Sequence, residues 1–317
     1  MIVSRRAVFR FYFLMYFMFL SYGAIATAML IIAVKNFDPL LLRFADYFAF
    51  IFCGIVYFIA FYTIYRFCKN VPIIRIDNSV ISFNREAFLL TEISHISFTG
   101  KRKFTYLLDS QFMEAATLTF NNGKIKYIFD DMYKNAGDMK LFLQQVVINK
   151  KEFVKPSSQK NINFTDFDCE VYDGKQITSM KGIFLWAILA MLAYVIFGKT
   201  RISAGNIIAL SLISLYWFIF FSWMMNYFKI SQEYLTIKKH NLFWIMKIYK
   251  IADIQEIVFE QQGRLPNSMR VTTKDFESKV YAASTLRNKT WLAMKDKWEN
   301  LGISVRNECI PLHSIWE

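Results

Sequence analysis

The side chains that could do chemistry are few and scattered. The three histidines, His95, His240 and His313, lie in unrelated contexts, and no phosphate loop or dinucleotide fingerprint accompanies them. His95 is expected on the polar face of a strand, as a surface histidine. No two of the four cysteines have metal spacing: Cys53 falls inside an apolar run, Cys68 lies just beyond it in Phe67-Cys68-Lys69, and Cys169 and Cys309 are far apart in polar segments. Asp130-Asp131 precedes a predicted helix, where carboxylates favour the helix dipole without needing a metal. The chain is therefore expected to be non-enzymatic, with no catalytic residue, no metal and no cofactor.

Charge is the stronger chemical signal. Lys+Arg number 38 against 25 Asp+Glu, a formal net charge of +13. Nucleic acid needs a concentrated basic face, whereas these cations are spread out and interrupted by acids, so it is excluded as a partner. A membrane is the nearer polyanion. Arg66, Lys69, Arg75 and Arg85 in the first half, and Lys229, Lys238, Lys239, Lys247 and Lys250 in the second, fall where the chain is expected to leave a bilayer. Each such cation near anionic headgroups contributes up to about 1 kcal/mol. Arg66, Lys69, Arg75, Lys229, Lys238 and Lys239 are thus candidate lipid or partner contacts, and ordinary positive-inside flanking accounts for them equally. Lys101-Arg102-Lys103 is the one compact basic cluster, expected in a solvated loop and also a candidate contact.

The elements that must position these residues follow from hydropathy. With 55% apolar and 18% aromatic residues, the chain is neither a disordered tail nor a collagen-like repeat nor a disulfide scaffold. A hydrocarbon core about 30 Å thick needs roughly 20 apolar helical residues. Phe11 to Val34, Tyr47 to Tyr65, Gly182 to Gly198 and Ile202 to Phe228 are uncharged runs suited to this, forming two hairpins. The first extends well beyond a signal-peptide core, despite Ala26-Thr27-Ala28, and is read as a retained anchor. Arg5, Arg6 and Arg10 before it, and Arg66, Lys69 and Arg75 after the second run, outweigh the turn, where Lys35 and Arg43 are offset by Asp38 and Asp46. In the second hairpin Lys199 and Arg201 sit in the turn. The bias places both termini and the middle segment in the cytoplasm. No span carries an ionisable group, which argues against a transport path.

The two halves repeat one order of signals. Ile74 to Phe83 matches Phe228 to Ile237, both alternating about a central turn. Glu92-Ile93-Ser94-His95-Ile96-Ser97-Phe98 aligns with Asp253-Ile254-Gln255-Glu256-Ile257-Val258-Phe259, after a longer hairpin loop in the second copy. Asn121-Asn122-Gly123 marks a hairpin between Ala116 to Phe120 and Lys124 to Phe129. Its counterpart, Lys274 to Ser278 between Met269 to Thr273 and Lys279 to Ala283, lacks glycine. Each half then ends in an amphipathic helix. In the first, Asn135 is the expected cap and Met139, Phe142, Leu143, Val146 and Val147 share a face. In the second, Trp291, Met294, Trp298 and Leu301 keep that spacing from a start near Asn288, with Gly302 as C-cap.

The short strands, the third strand of the Glu-Ile-x-x-Ile-x-Phe type, the Asn-Gly hairpin and the closing helix resemble bacterial pleckstrin-homology-like domains that follow paired transmembrane helices in small membrane proteins. The expected fold is membrane α + β: four transmembrane helices in two hairpins, each followed by a small antiparallel β-sandwich or barrel with a C-terminal helix. The expected boundaries are 1–69 for hairpin 1, 70–156 for the first domain, 157–180 for a linker with one short strand in Phe167 to Tyr172, 181–228 for hairpin 2, 229–308 for the second domain and 309–317 for a tail. The resemblance implies a binding or assembly platform at the cytoplasmic face of the bacterial inner membrane, whose partners are the lipid bilayer and a second copy or another membrane protein. Two alternatives stand beside it: an immunity or defence protein acting against a membrane-attacking toxin, and an anionic-lipid sensor. The dense Lys/Arg first-hairpin loop of phosphoinositide-binding relatives is absent.

Overall fold

Uninterrupted apolar runs form the long helices and alternating runs form the strands. Among the described residues four helices are long and apolar enough to cross a membrane, Val8–Lys35, Tyr47–Asn70, Met180–Gly198 and Ala204–Met224. Their surfaces carry large apolar side chains, such as Phe58 at 68% exposure and Phe197 at 86%, as lipid-facing helices require. The computed structural model describes residues 1–37, 44–105, 110–155, 169–198, 203–242, 245–263 and 265–311. Asp38, Arg43, Lys199, Arg201 and His313 lie outside the described residues, as does the first half of the expected linker, 157–168. The chain divides into two units, Met1–Lys155 and Pro156–Glu317.

The first unit begins with a strand, β1 (Ile2–Val3), before its helical hairpin. A π-helical turn at Val8–Phe13 leads into α1 (Leu14–Asn36), and α2 (Phe44–Asn70) returns. Then come β2 (Ile74–Ile76), β3 (Val80–Phe83), β4 (Glu86–Leu89), β5 (Ile93–Ser97), β6 (Lys101–Thr105), β7 (Ser110–Phe120), β8 (Ile125–Phe129) and α3 (Ala136–Leu143). One sheet runs β1-β2-β3-β4, all antiparallel; in the other, β7 pairs with β5, β6 and β8.

Three expectations are corrected here. Residues 1–69 are not a hairpin alone, because Ile2 and Val3 pair with Ile76 and Arg75. Lys101-Arg102-Lys103 is not a loop but the first three residues of β6, held by pairing with Met113 and its neighbours on β7. Asn135 does not cap α3; its side chain instead accepts from the Arg5 amide at 2.7 Å and donates to the Val3 carbonyl at 2.9 Å, tying down the first strand.

The second unit repeats that opening with β9 (Glu170–Tyr172), followed by α4 (Met180–Gly198) and α5 (Ala204–Met224). Ser203 caps α5 by accepting from the Asn206 amide. After them come β10 (Asn226–Ile230), β11 (Tyr234–Lys239), β12 (Met246–Lys250), β13 (Ile254–Gln261), β14 (Asn267–Thr273), β15 (Ser278–Ala282), α6 (Asn288–Asn300) and β16 (Ser304–Asn307). The sheets run β12-β11-β10-β9 and β15-β14-β13-β16. The expected span to Phe228 is therefore too long: the helix stops at Met224, and Phe228 already pairs with Tyr172 and Ile237. The expected linker contributes β9, and the unit closes with β16 laid parallel on β13 rather than with its helix.

Pairing registers coincide position for position. Ile74↔Phe83 and Ile76↔Ile81 in the first unit stand as Phe228↔Ile237 and Ile230↔Leu235 in the second. Both third strands break register one residue in, between Ile93 and His95 and between Ile254 and Glu256. Turn chemistry differs between the units. Gly123 supplies a φ of 76° beside Asn122, whereas Phe276 takes a φ of 58° with its ring buried. That burial holds a conformation an aromatic residue seldom adopts.

Each core lies between two sheets and a helix. In the first unit, Met139, Phe142 and Leu143 of α3 pack with Ile74, Phe83 and Phe120, and so do Phe11, Met15 and Phe67 from the helical hairpin. The membrane helices thus end inside the β-domain core. In the second, Trp291, Met294 and Trp298 are fully buried against Phe228, Ile257 and Phe259. Two ion pairs are buried with them. Lys140 on α3 meets Asp130 at 2.5 Å, so this carboxylate neutralises an interior ammonium rather than the helix start. Arg270 on β14 meets Glu260 on β13 at 2.8 Å, both with fully buried side chains.

Candidate functional site

The exit of α2 from the membrane is clamped on every side. Arg6 donates from Nε and Nη2 to the Val71 carbonyl at 3.1 and 2.7 Å, with its guanidinium 4.5 Å from the Phe11 ring centroid. The Tyr133 hydroxyl donates to the Pro72 carbonyl at 2.6 Å, and burial pushes that phenol's pKa well up. Backbone acceptors left over at a helix end are thereby satisfied. The next residue, Ile73, is bonded twice to Asn84: Asn84 N donates to its carbonyl at 2.8 Å, and its amide donates to Asn84 Oδ1 at 2.7 Å. Asn84 tolerates the φ of 55° that the tight β3–β4 turn demands, and the turn presents Arg85. Finally Asn70 Nδ2 donates to the Thr105 carbonyl at 2.6 Å, drawing the end of β6 to the end of α2.

These ties enclose a cleft of about 640 Å³. Its floor is apolar, made of the buried Phe83, Phe104 and Phe129, and among the described residues its charged lining is Lys69, Arg85, Lys103 and Lys126 against Glu86. Lys126 lies 3.0 Å from Glu86 and Lys124 lies 3.5 Å from it. Lys126 first, then Lys124, hold the Glu86 carboxyl below the usual carboxylate range. Lys126 also stands 5.8 Å from the Phe83 and Phe88 ring centroids, and Lys69 stands 5.7 Å from that of Tyr65. Such a lining can hold an anion by charge and hydrogen bonding over an apolar base.

Of the residues singled out in the sequence, this cleft unites Lys69 and Lys103. Arg66 lies on α2 with its guanidinium 6.0 Å from the Tyr62 ring centroid. Arg75 is exposed on β2, between Val3 and Ser82. Lys101 stands opposite Glu114, and Arg102 donates to Thr117 Oγ1 at 2.7 Å, so both are engaged within their sheet. Lys229 on β10 and Lys238 and Lys239 on β11 belong to the second unit, where partial burial lowers the pKa of Lys239. Sequence reasoning missed Lys126 and Glu86, and it placed Arg85 only near the membrane exit. An Asn-Arg pair in a short hairpin was the available signal for that turn.

The second unit has its own polar junction. His240 lies against Tyr227, ring centroids 4.8 Å apart, with Nε2 3.4 Å from Thr285 Oγ1. Burial lowers its pKa, and nearby Asp173 pulls it partly back. Asn241 donates to Ser222 Oγ at 2.9 Å and also bonds Gln176, joining the β11–β12 loop to α5 and to the segment after β9. Among the described residues no group of three or more metal-ligating side chains converges. None of the described cysteines forms a disulfide, and Cys53 is buried in α2. Comparison with protein-family models, curated proteins and solved structures finds no match.

Proposed function

We propose that the chain is a non-enzymatic binding and assembly module of the bacterial inner membrane. In this reading it is a tandem duplication of a unit in which a transmembrane hairpin carries a pleckstrin-homology-like domain at the cytoplasmic face. The observation that carries the reading is the way the first hairpin ends. Phe11, Met15 and Phe67 sit in the core of the β-domain, and Arg6 and Tyr133 hold the exit of α2. A domain anchored so rigidly is oriented against the bilayer, which suits a platform better than a tethered, freely rotating domain. The coincident registers and the shared break in the third strand support common descent of the two units. Open strand edges at β4 and β12 are surfaces on which copies can join.

The test is the mass of the full chain in detergent, measured by light scattering with the bound detergent subtracted. A defined multimer that survives dilution is expected. A single-copy particle at every concentration would refute assembly between copies.

A further inference from the structure

We propose that the cleft of the first unit holds the phosphate of an anionic lipid headgroup drawn from the bilayer that the chain itself spans. The proposal deepens the reading above, since it rests on the domain facing an anionic leaflet.

Charge is the first argument. Glu86 is already engaged by Lys126 and Lys124, and among the described residues no carboxylate lies within ion-pair distance of Lys69, Arg85 or Lys103. Three cations thus face one cleft uncompensated, an arrangement that repels itself unless an anion is present. Arg85 brings a planar fork of donors suited to phosphate oxygens, and Lys69 and Lys103 bring compact point charges.

Depth is the second argument. Lys69 belongs to the last turn of a membrane-crossing helix, and the Asn70 to Thr105 hydrogen bond brings the end of β6 beside the same turn. The rim therefore stands where headgroups lie. Preorganisation adds to this, because the paired Asn84 and Ile73 hydrogen bonds fix the turn that bears Arg85 before any ligand arrives.

The apolar surroundings point to a lipid rather than to free phosphate. Ile125, 50% exposed, lies on the lip, and Phe112, 66% exposed, is the cross-strand partner of Lys103. A lipid's glycerol and upper acyl chain would cover both, whereas inorganic phosphate gains nothing from them. The second unit does not assemble this set. A longer loop between β11 and β12 stands in place of the Asn84–Arg85 turn, and no strand equivalent to β6 precedes β14 among the described residues.

Native mass spectrometry of the detergent-purified full chain tests the assignment, with phosphatidylglycerol, phosphatidylcholine and inorganic phosphate as probes. Phosphatidylglycerol should bind in preference to phosphatidylcholine. The Arg85→Gln and Lys103→Gln variants should each weaken its binding about fivefold, and the exposed Arg75→Gln should leave it unchanged. Hydrogen exchange of β5 to β8 at the wild-type rate would establish that these variants fold. Equal binding of the two lipids, or a double variant that binds like wild type, overturns the proposal. Displacement of phosphatidylglycerol by millimolar inorganic phosphate also overturns the lipid assignment and leaves a site for a free phosphate compound. Binding in detergent does not depend on which side the domain faces. Orientation is read separately, from labelling of an Arg75→Cys variant by an impermeant thiol reagent before and after spheroplasts are opened.

Discussion

Replacing Glu260 by Gln removes the anionic partner of Arg270 while keeping the shape of the side chain. Arg270 donates to Glu260 Oε1 from Nε at 3.2 Å and from Nη2 at 2.8 Å, and to Ser278 Oγ from Nη1 at 2.9 Å. Gln262 Nε2 donates to the same carboxylate at 2.8 Å. Both charged side chains are fully buried, so the variant takes a buried countercharge away from the guanidinium. Stranding one member of a buried pair costs about 3–5 kcal/mol, and the amide oxygen recovers part of that, so a loss of about 3 kcal/mol is expected. Hydrogen exchange of the full chain in detergent reads this as roughly 100-fold faster exchange in Ile254–Gln261 and Asn267–Thr273. The double variant Glu260→Leu with Arg270→Met should lose less than the single one, because no charge remains to be desolvated. A single variant that costs under about 1 kcal/mol, or a double variant that costs as much as the separate changes summed, would refute the reasoning.

Phe11→Ala should destabilise the first β-domain by about 3–5 kcal/mol although the residue lies at the start of a membrane helix, read as faster exchange in β2 and β3; unchanged exchange there would separate the hairpin from the domain core. Gly174→Ala should loosen the junction after β9, since the added Cβ would collide with the Thr285 carbonyl and backbone must shift, at about 1–3 kcal/mol; proteolysis of that segment measures it, and wild-type resistance would count against the geometry. His240 has a pKa below its unfolded value of about 6.5, so the unfolded state binds the extra proton. Stability of the second unit is therefore full above that pH and falls as pH drops through it. Exchange of β10 and β11 should quicken between pH 7.5 and 5.5 in wild type and much less in His240→Gln, and equal acceleration in both would remove His240 as the cause.

Much of the architecture was legible along the chain because its signals are local. A run near 20 uncharged residues is long and apolar enough to cross a membrane, and as a helix it pairs its own backbone whatever surrounds it. The alternation in Ile74 to Phe83 and in Phe228 to Ile237 likewise gave the strands and their pairing, because side chains of period two select one buried face. The spacing of Trp291, Met294 and Trp298 gave the buried face of α6.

Other features existed only once distant segments met. β1 is too short to carry a period, and its strand character comes from pairing with β2 across an intervening helical hairpin. β9 falls where a short strand was expected, but its place beside β10 is set only by the fold. The end of α5 was hidden because Asn226–Ile230 begins inside the same uncharged run; pairing with β9 and β11, not hydropathy, stops the helix at Met224. Nothing along the chain marks Lys140 and Arg270 for the interior, since a lone charge cannot be buried. Asp130 and Glu260, brought opposite them by folding, make that burial tolerable. The cleft is the same case at larger scale. Its cations come from the end of α2, a tight turn and two strands, each unremarkable in the sequence. The sequence determined that this chain carries helices long and apolar enough to cross a membrane and alternates helical hairpins with small sheets, because those properties are set by neighbours along the backbone. Only the tertiary structure decided which charges are neutralised and which are left facing a ligand, because electrostatic energy depends on distance through space.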